Sequence, residues 1–199
     1  MVHYQSTRGH KETLSFQDVI LSGLAPDKGL YLPDSITLEN LAYLTQEDLS
    51  YEDFVKTIFI SLDQASAKYV EDLAIYPGFE NSPEPALKEL NASTVVMELF
   101  HGPTKSFKDY ALQPLGAIAN RRLDELGERG LVIVATSGDT GSAAIQAVKN
   151  SENIDIVVLH PANKVSEYQR KQMTSVIQDN VLNIAVEGSY DDCQRIAKD

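Results

Sequence analysis

Apolar and polar positions divide this chain into two parts with different patterns. Residues up to about 73 are predicted to be mostly helical, with a turn at residues 25–29 and a short extended piece at residues 30–32. The clearest helix begins at Ser50 and places Phe54, Ile58 and Leu62 on one face. A Pro/Gly-rich stretch at residues 76–85 then interrupts the pattern. We therefore predict a mostly helical N-terminal subdomain at residues 1–80 and a second domain at residues 81–199.

Beyond this boundary, short apolar runs alternate with helical patterns. The runs that predict strands are residues 94–99, 131–135, 154–159 and 181–186. Each run is followed by a helical pattern, and this alternation predicts an α/β fold in which helices cover a largely parallel sheet. Ligands of such sheets bind at the carboxyl ends of the strands, so the segments that follow the strands are the candidates for chemistry.

One such segment, residues 101–109, reads His-Gly-Pro-Thr-Lys-Ser-Phe-Lys-Asp. It places Lys108 at the predicted start of a helix, with Ser106 as the N-cap. A helix N-terminus disfavours a cation, so this lysine is better explained as an amine that is neutral part of the time, as an imine-forming lysine must be. The alternative for any single lysine is a solvated surface position.

The second segment, residues 136–143, reads Thr-Ser-Gly-Asp-Thr-Gly-Ser-Ala and joins a predicted strand to a helix. Its two glycines allow a ligand to approach the backbone closely. Hydroxyl groups beside the helix N–H groups come from Thr136, Ser137, Thr140 and Ser142. This arrangement predicts a site for a carboxylate or a phosphate, whereas the spacing fits neither a nucleotide phosphate loop nor a dinucleotide fingerprint. An ordinary capped turn is the alternative.

Together, the two segments resemble the threonine synthase family of pyridoxal-phosphate enzymes, which have the fold type of the tryptophan synthase β-subunit. That family typically contains His-Gly-Pro-Thr-x-x-Phe-Lys-Asp and Thr-Ser-Gly-Asp-Thr-Gly-Ser-Ala, which match residues 101–109 and 136–143. Further similarity lies at residues 6–8 with 23–33, at residues 164–166 with Gln169 and Arg170, and at residues 186–194. The resemblance therefore covers nearly the whole chain.

The resemblance implies a truncated pyridoxal-phosphate fold of type II and the conversion of O-phospho-L-homoserine and water into L-threonine and phosphate. It implies that Lys108 forms the imine with pyridoxal 5'-phosphate and that Asp139 lies near the phenolic oxygen of the cofactor. Thr136, Ser137 and Thr140 would bind the substrate. The alternatives are another lyase or dehydratase of the same fold type and a cofactor-free interaction domain.

Some features depart from the family pattern. Lys105 occupies a position that is usually apolar, although the pattern still selects Lys108 as the imine lysine. The family's glycine-rich loop for the cofactor phosphate has no counterpart in these 199 residues, which are fewer than half the usual number. We therefore expect that these residues alone neither retain pyridoxal phosphate nor make threonine, and that uncovered sheet surface favours self-association.

Composition excludes several other classes of protein. No apolar run approaches the ~20 residues that span a bilayer, and the start of the chain has no apolar signal core. With a single cysteine, these features predict a cytoplasmic protein. The net charge of −12, from 29 acidic and 17 basic residues, argues against nucleic acid as a partner. The four histidines are too scattered to predict a metal site.

Overall fold

In a computed structural model, residues 2–35 and 49–198 are described. The chain forms two compact units, Met1–Ala74 and Ile75–Asp199. The domain boundary expected after residue 80 stays a sequence-based prediction.

The described part of the first unit combines short strands and helices. Its elements are β1 (Tyr4–Ser6), α1 (Phe16–Val19), β2 (Tyr31–Pro33), α2 (Tyr51–Leu62), a 3-10 turn (Gln64–Ser66) and α3 (Ala67–Val70). Helix α2 begins as predicted, because the Ser50 hydroxyl oxygen accepts a hydrogen bond from the Asp53 N–H at 3.1 Å. The helix ends at Leu62, and the extended backbone of Asp63 separates α2 from the 3-10 turn that follows.

A carboxylate organises the loop before β2. Asp27 accepts hydrogen bonds from the Ser6 hydroxyl at 2.6 Å and from the N–H groups of Gly29 and His10 at 3.0 and 2.8 Å. These bonds favour the ionised form, led by the one from Ser6, and lower the pKa of Asp27. Gly29 is required here because a Cβ at this position would overlap the Ser6 hydroxyl. This explains why a serine, an aspartate and a glycine occur together in the first unit.

The second unit contains a parallel sheet covered by helices, which confirms the predicted α/β fold. Its elements are β3 (Ala86–Asn91), β4 (Thr94–Glu98), α4 (Asp109–Leu126), β5 (Gly130–Ala135), α5 (Asp139–Val148), β6 (Ile154–Pro161), α6 (Glu167–Thr174), β7 (Val181–Val186) and α7 (Tyr190–Lys198). Strands β5, β6 and β7 pair in parallel, with β6 in the middle. Ile156 and Val158 of β6 pack with Ile145 of α5 and Met173 of α6 in the buried core. This packing fixes both helices against the sheet.

The prediction that residues 94–99 belong to the parallel sheet is wrong. Strand β4 instead forms an antiparallel hairpin with β3, with Leu87 opposite Met97. Asn91 stabilises the turn by accepting a hydrogen bond from the Ser93 N–H at 3.0 Å. Because the connection is short, this pairing loses little loop-closure entropy. Strand β3 was not predicted from the sequence because Lys88 and Glu89 interrupt its apolar pattern.

Helix α4 contains an internal proline and packs closely on α5. Pro114 has no N–H to donate to the Tyr110 carbonyl, and the Tyr76 hydroxyl donates to that carbonyl instead, at 3.0 Å. Two residues further on, a Cβ at Gly116 would lie 2.9 Å from the Ala147 carbonyl oxygen of α5. The glycine therefore permits the close approach of the two helices. Both helices begin within the two segments selected from the sequence for chemistry.

None of the helices within residues 2–35 and 49–198 is both long and apolar enough to cross a membrane. In the same described ranges, no group of three or more histidine, cysteine, aspartate or glutamate side chains is arranged to hold a metal ion.

Candidate active site

Residues 101–109 fold into a compact turn around the carboxylate of Asp109, and we call this segment the lysine turn. Asp109 is fully buried, and its two oxygens accept hydrogen bonds from the N–H of Thr104 at 2.9 Å and from the hydroxyl of Thr104 at 2.8 Å. Gly102 packs against the same side chain, because a Cβ there would lie only 2.8 Å from the Asp109 Cβ. The glycine, threonine and aspartate of the segment are thus explained by one buried contact.

The environment of Asp109 changes its protonation equilibrium. Burial disfavours the charged carboxylate and raises the pKa of Asp109, while the hydrogen bonds from Thr104 act in the opposite direction. Burial is the larger effect. The carboxylate is therefore held in the lysine turn at an electrostatic cost.

The predicted N-cap of α4 is wrong. Helix α4 begins at Asp109, and Lys108 rather than Ser106 occupies the N-cap position. The Ser106 hydroxyl oxygen instead accepts a hydrogen bond from the Lys108 N–H at 3.4 Å, and the Lys108 carbonyl accepts from the Leu112 N–H at 2.9 Å. The contacts between Thr104 and Asp109 bend the intervening residues into turns and delay the start of the helix.

The Lys108 side chain is half-buried and lies over an aromatic ring. Its Nζ is 4.5 Å from the centroid of the Phe107 ring. Among the described residues, Lys108 has no carboxylate within ion-pair distance. Lys105 differs, because it is exposed and its backbone has a φ of 61°, a left-handed conformation that is uncommon for residues other than glycine. Of the two lysines in the turn, Lys108 is thus the more enclosed.

Residues 136–142, which we call the hydroxyl loop, connect β5 to the first turn of α5. The Thr136 side chain is buried, and its oxygen accepts hydrogen bonds from the N–H groups of Gly138 at 2.9 Å and Gly141 at 3.0 Å. Gly141 has no room for a side chain, because a Cβ there would lie 2.6 Å from the Thr136 Cγ2 and 2.7 Å from the Met173 sulfur. Thr136 and Gly141 therefore set the shape of the loop.

The Ser142 hydroxyl, also among those predicted to bind an anion, is buried and donates a hydrogen bond to the Asp139 carbonyl at 3.1 Å. The two other predicted hydroxyls of this loop face outward. Ser137 is exposed and Thr140 is half-buried, and neither hydroxyl has a hydrogen-bond partner in the described part of the chain. Helix α5 begins at Asp139, and the N–H groups of a first helical turn have no partners within their own helix. The loop therefore offers two hydroxyls beside the positive end of a ten-residue helix, which is an arrangement suited to an anion.

Helix α6 contacts both the lysine turn and the hydroxyl loop. The Gln172 Nε2 donates a hydrogen bond to the Thr104 carbonyl at 2.9 Å, and the Gln169 Nε2 donates to the Asp139 carboxylate at 2.6 Å. Residues three apart are neighbours on one helix face, so the structure brings the two segments to adjacent positions. Sequence analysis noted Gln169 but missed Gln172, although the spacing of two glutamines on one predicted helix was a signal.

A depression of about 440 Å³ beside the lysine turn is a poor candidate for an anion site. The carboxylates of Glu80 and Glu84 lie in its lining, together with Lys105 but not Lys108. Two carboxylates would repel a phosphate. The hydroxyl loop remains the better candidate for binding an anion.

The chain is similar to known proteins in sequence and in fold. Residues 3–71 match the family model described as "Threonine synthase N terminus". The threonine synthase of Pseudomonas aeruginosa is 45% identical over 204 aligned residues, which cover 99% of this chain and 43% of that protein.

Two solved structures are similar to nearly the whole chain. The pyridoxal-phosphate-bound threonine synthase from Brucella melitensis is 38% identical, with a TM-score of 0.82 and coverage of 100% of this chain and 44% of that one. The yeast threonine synthase is 32% identical, with a TM-score of 0.84 and coverage of 99% and 43%.

The fold places the chain in the structural class of these enzymes, one of which is a pyridoxal-phosphate-bound structure. Within that class, the chain is similar to threonine synthases over nearly its whole length, and its residues 3–71 match the model of their N-terminal part. It spans less than half the length of the relatives that it matches.

Replacement of Asp109 by asparagine should change how stability depends on pH. Because the folded-state pKa of Asp109 is raised, the folded chain holds this proton more tightly than the unfolded chain. The stability that this carboxyl contributes is present below about pH 4 and is lost as the pH rises through the folded-state pKa. The free energy of unfolding of the wild type minus that of Asp109→Asn, measured by urea denaturation, should therefore decrease with rising pH. An increase would show that the hydrogen bonds outweigh burial.

Proposed function

We propose that the protein containing these residues is a threonine synthase that converts O-phospho-L-homoserine and water into L-threonine and phosphate. The observation that carries the proposal is the position of the Lys108 amine, which lies on a turn that α6 connects to the hydroxyl loop. The family relationship supports it, since the matched relatives are named threonine synthases.

We also propose that the cofactor is pyridoxal 5'-phosphate. The residues present fit this group in three respects: an amine without a carboxylate partner in the described residues, an aromatic ring beside that amine, and outward-facing hydroxyls at a helix N-terminus. When bound to a lysine amine, the cofactor supplies an electron sink that makes the Cα proton of an amino-acid substrate removable.

Each residue of the site then has a separate task. The Lys108 Nζ binds the cofactor and afterwards removes the proton from the substrate Cα. The hydroxyls of Ser137 and Thr140 donate hydrogen bonds to the substrate carboxylate or phosphate. Asp139, whose carboxylate accepts a hydrogen bond from the Gln169 amide at 2.6 Å, would contact the side of the cofactor that bears its phenolic oxygen, as the family resemblance implies.

Thr136 differs from Ser137 and Thr140, because its side-chain oxygen already accepts two backbone hydrogen bonds. The hydroxyl hydrogen is the group that it retains for donation to a substrate. Thr136 would therefore have two roles: it shapes the loop, and it donates its hydroxyl hydrogen to the substrate, as predicted from the sequence. A cytoplasmic location likewise stays a prediction.

Lys108→Ala should abolish both the visible absorption of the bound cofactor and the release of phosphate from O-phospho-L-homoserine. Lys105→Ala is the matched control and should retain both, because Lys105 is exposed. Absorption spectra and phosphate release are measured for the wild type and both variants in the full-length protein that contains these residues. Peptide mapping of the wild type after borohydride reduction then identifies the lysine that carries the cofactor. A pyridoxyl label on Lys105 with unmodified Lys108 would refute the assignment. Cofactor-dependent deamination of threonine or serine, with O-phospho-L-homoserine inert, would favour a dehydratase of the same fold type.

Removal of one outward-facing hydroxyl from the hydroxyl loop should lower the catalytic efficiency with the anionic substrate. Thr140→Ala or Ser137→Ala should lower kcat/KM at least about tenfold, equivalent to about 1.4 kcal/mol for one lost hydrogen bond to an anion. Cofactor binding should change less than substrate binding. Ser93→Ala, on the exposed hairpin turn, is the control. Wild-type kinetics for both loop variants would show that this loop is only a structural turn.

We further propose that a polypeptide limited to these residues self-associates through exposed strand surface. Leu87 and Met97 of the hairpin are 64% and 58% exposed, and Leu131 of β5 is 60% exposed. Strands β5 and β7 each have a hydrogen-bonded neighbour on one side only within the described sheet. Large exposed apolar groups beside open strand edges favour association.

Light scattering after size exclusion should show a mass above that of one chain, rising with concentration. Leu87→Lys combined with Met97→Lys should reduce this mass, because both side chains lie at paired positions of the hairpin. Glu128→Lys is the control, since it is exposed and changes the net charge by the same amount. A monomer at all concentrations, or an equal reduction in the control, would contradict the proposal.

A further inference from the structure

Helix α6 contains two glutamines whose amides reach two different segments of the candidate site. The Gln172 Nε2 donates to the carbonyl of Thr104, which is 68 positions away in the sequence. The Gln169 amide uses both of its ends: its oxygen accepts from the Ser166 N–H at 3.3 Å and its nitrogen donates to the Asp139 carboxylate. The helix therefore contacts the lysine turn and the hydroxyl loop at the same time.

The contact of Gln172 continues through hydrogen bonds toward Lys108. Thr104 is buried, so its carbonyl needs a hydrogen-bond partner, and Gln172 supplies it. The N–H and the hydroxyl of Thr104 both donate to Asp109, the first residue of α4. Asp109 directly follows Lys108. One side chain of α6 thus holds the residue that determines the conformation of the lysine turn.

The contact of Gln169 is equally close. Gly138 faces its amide, and a Cβ on Gly138 would lie 2.6 Å from both Nε2 and Oε1 of Gln169. The capping box formed with Ser166 fixes the orientation of the same amide at the first turn of α6. The hydroxyl loop is therefore held against α6 as directly as the lysine turn is.

We propose that Gln172 is a positioning residue that sets the location of Lys108 relative to the hydroxyl loop. It does so by fixing the lysine turn to the helix whose Gln169 holds Asp139. The inference rests on the proposed function and adds a residue that has no role in the chemistry itself. Small displacements of a reacting group lower rates strongly, so loss of the Gln172 hydrogen bond acts on the rate rather than on substrate affinity.

The kinetic test compares variants that keep or lose the amide donor. Gln172→Met, of similar length and without a donor, should lower kcat about tenfold or more while KM changes less than about twofold. Gln172→Lys, which retains an N–H donor, should recover most of the rate. Lys171→Ala is the control and should match the wild type, because Lys171 is exposed and its ion pair, at 2.7 Å, is with Glu167 of the same helix. Wild-type kcat in Gln172→Met would overturn the proposal.

A second readout requires neither cofactor nor activity. Amide hydrogen exchange of the full-length protein should become faster at residues 104–109 in Gln172→Met, with residues 136–141 unchanged. Gln169→Met should give the opposite pattern. If Gln172→Met does not fold, Gln172→Glu replaces the donor with an acceptor at nearly the same shape and provides the same comparison. Unchanged exchange at residues 104–109 would overturn the proposal.

The two readouts separate this inference from the proposed function. If the wild type has no cofactor-dependent turnover, the proposed function is refuted. If amide exchange at residues 104–109 is nevertheless faster in Gln172→Met, the role of Gln172 in supporting the lysine turn remains. If the wild type turns over its substrate, and Gln172→Met has the same kcat and the same amide exchange as the wild type, the positioning role is refuted and the proposed function remains intact.

Discussion

The candidate site depends on the burial of one carboxylate, that of Asp109. A buried charge is costly unless hydrogen bonds compensate it, and here Thr104 supplies two donors from a single residue. The contact is possible only because Gly102 leaves room beside the aspartate side chain. The requirement to satisfy this carboxylate gives residues 101–109 one defined shape. That shape determines where Lys108 enters helix α4.

The hydroxyl loop is also organised around one buried polar side chain, here the neutral side chain of Thr136. Thr136 uses its buried oxygen to accept two N–H groups of the loop, which turns the backbone from β5 into α5. Its neighbours Ser137 and Thr140 consequently remain available on the outside of the loop. A run of hydroxyl residues is thus divided into one that shapes the loop and others suited to contacting a ligand.

Helix packing relates these two self-contained turns to each other. Gly116 allows α4 to approach α5, so the helices that begin at the lysine turn and at the hydroxyl loop share a close interface. Helix α6 adds hydrogen bonds from Gln172 and Gln169 to both segments. The geometry between the amine and the loop therefore depends on packing that neither segment contains by itself.

The sequence alone determined the elements that rest on local rules. The cap at Ser50, the apolar runs of the parallel strands and the glycine-containing loop after β5 were predictable, because each depends on residues within a few positions. The resemblance of residues 101–109 and 136–143 to a known family was also visible in the sequence. The tertiary structure decided the pairing of β4 with β3, the start of α4 at Asp109 and the contact between Gln172 and Thr104. Each of these depends on a partner that local patterns do not specify: a strand without apolar alternation, a carboxylate that becomes buried, and a carbonyl 68 residues distant.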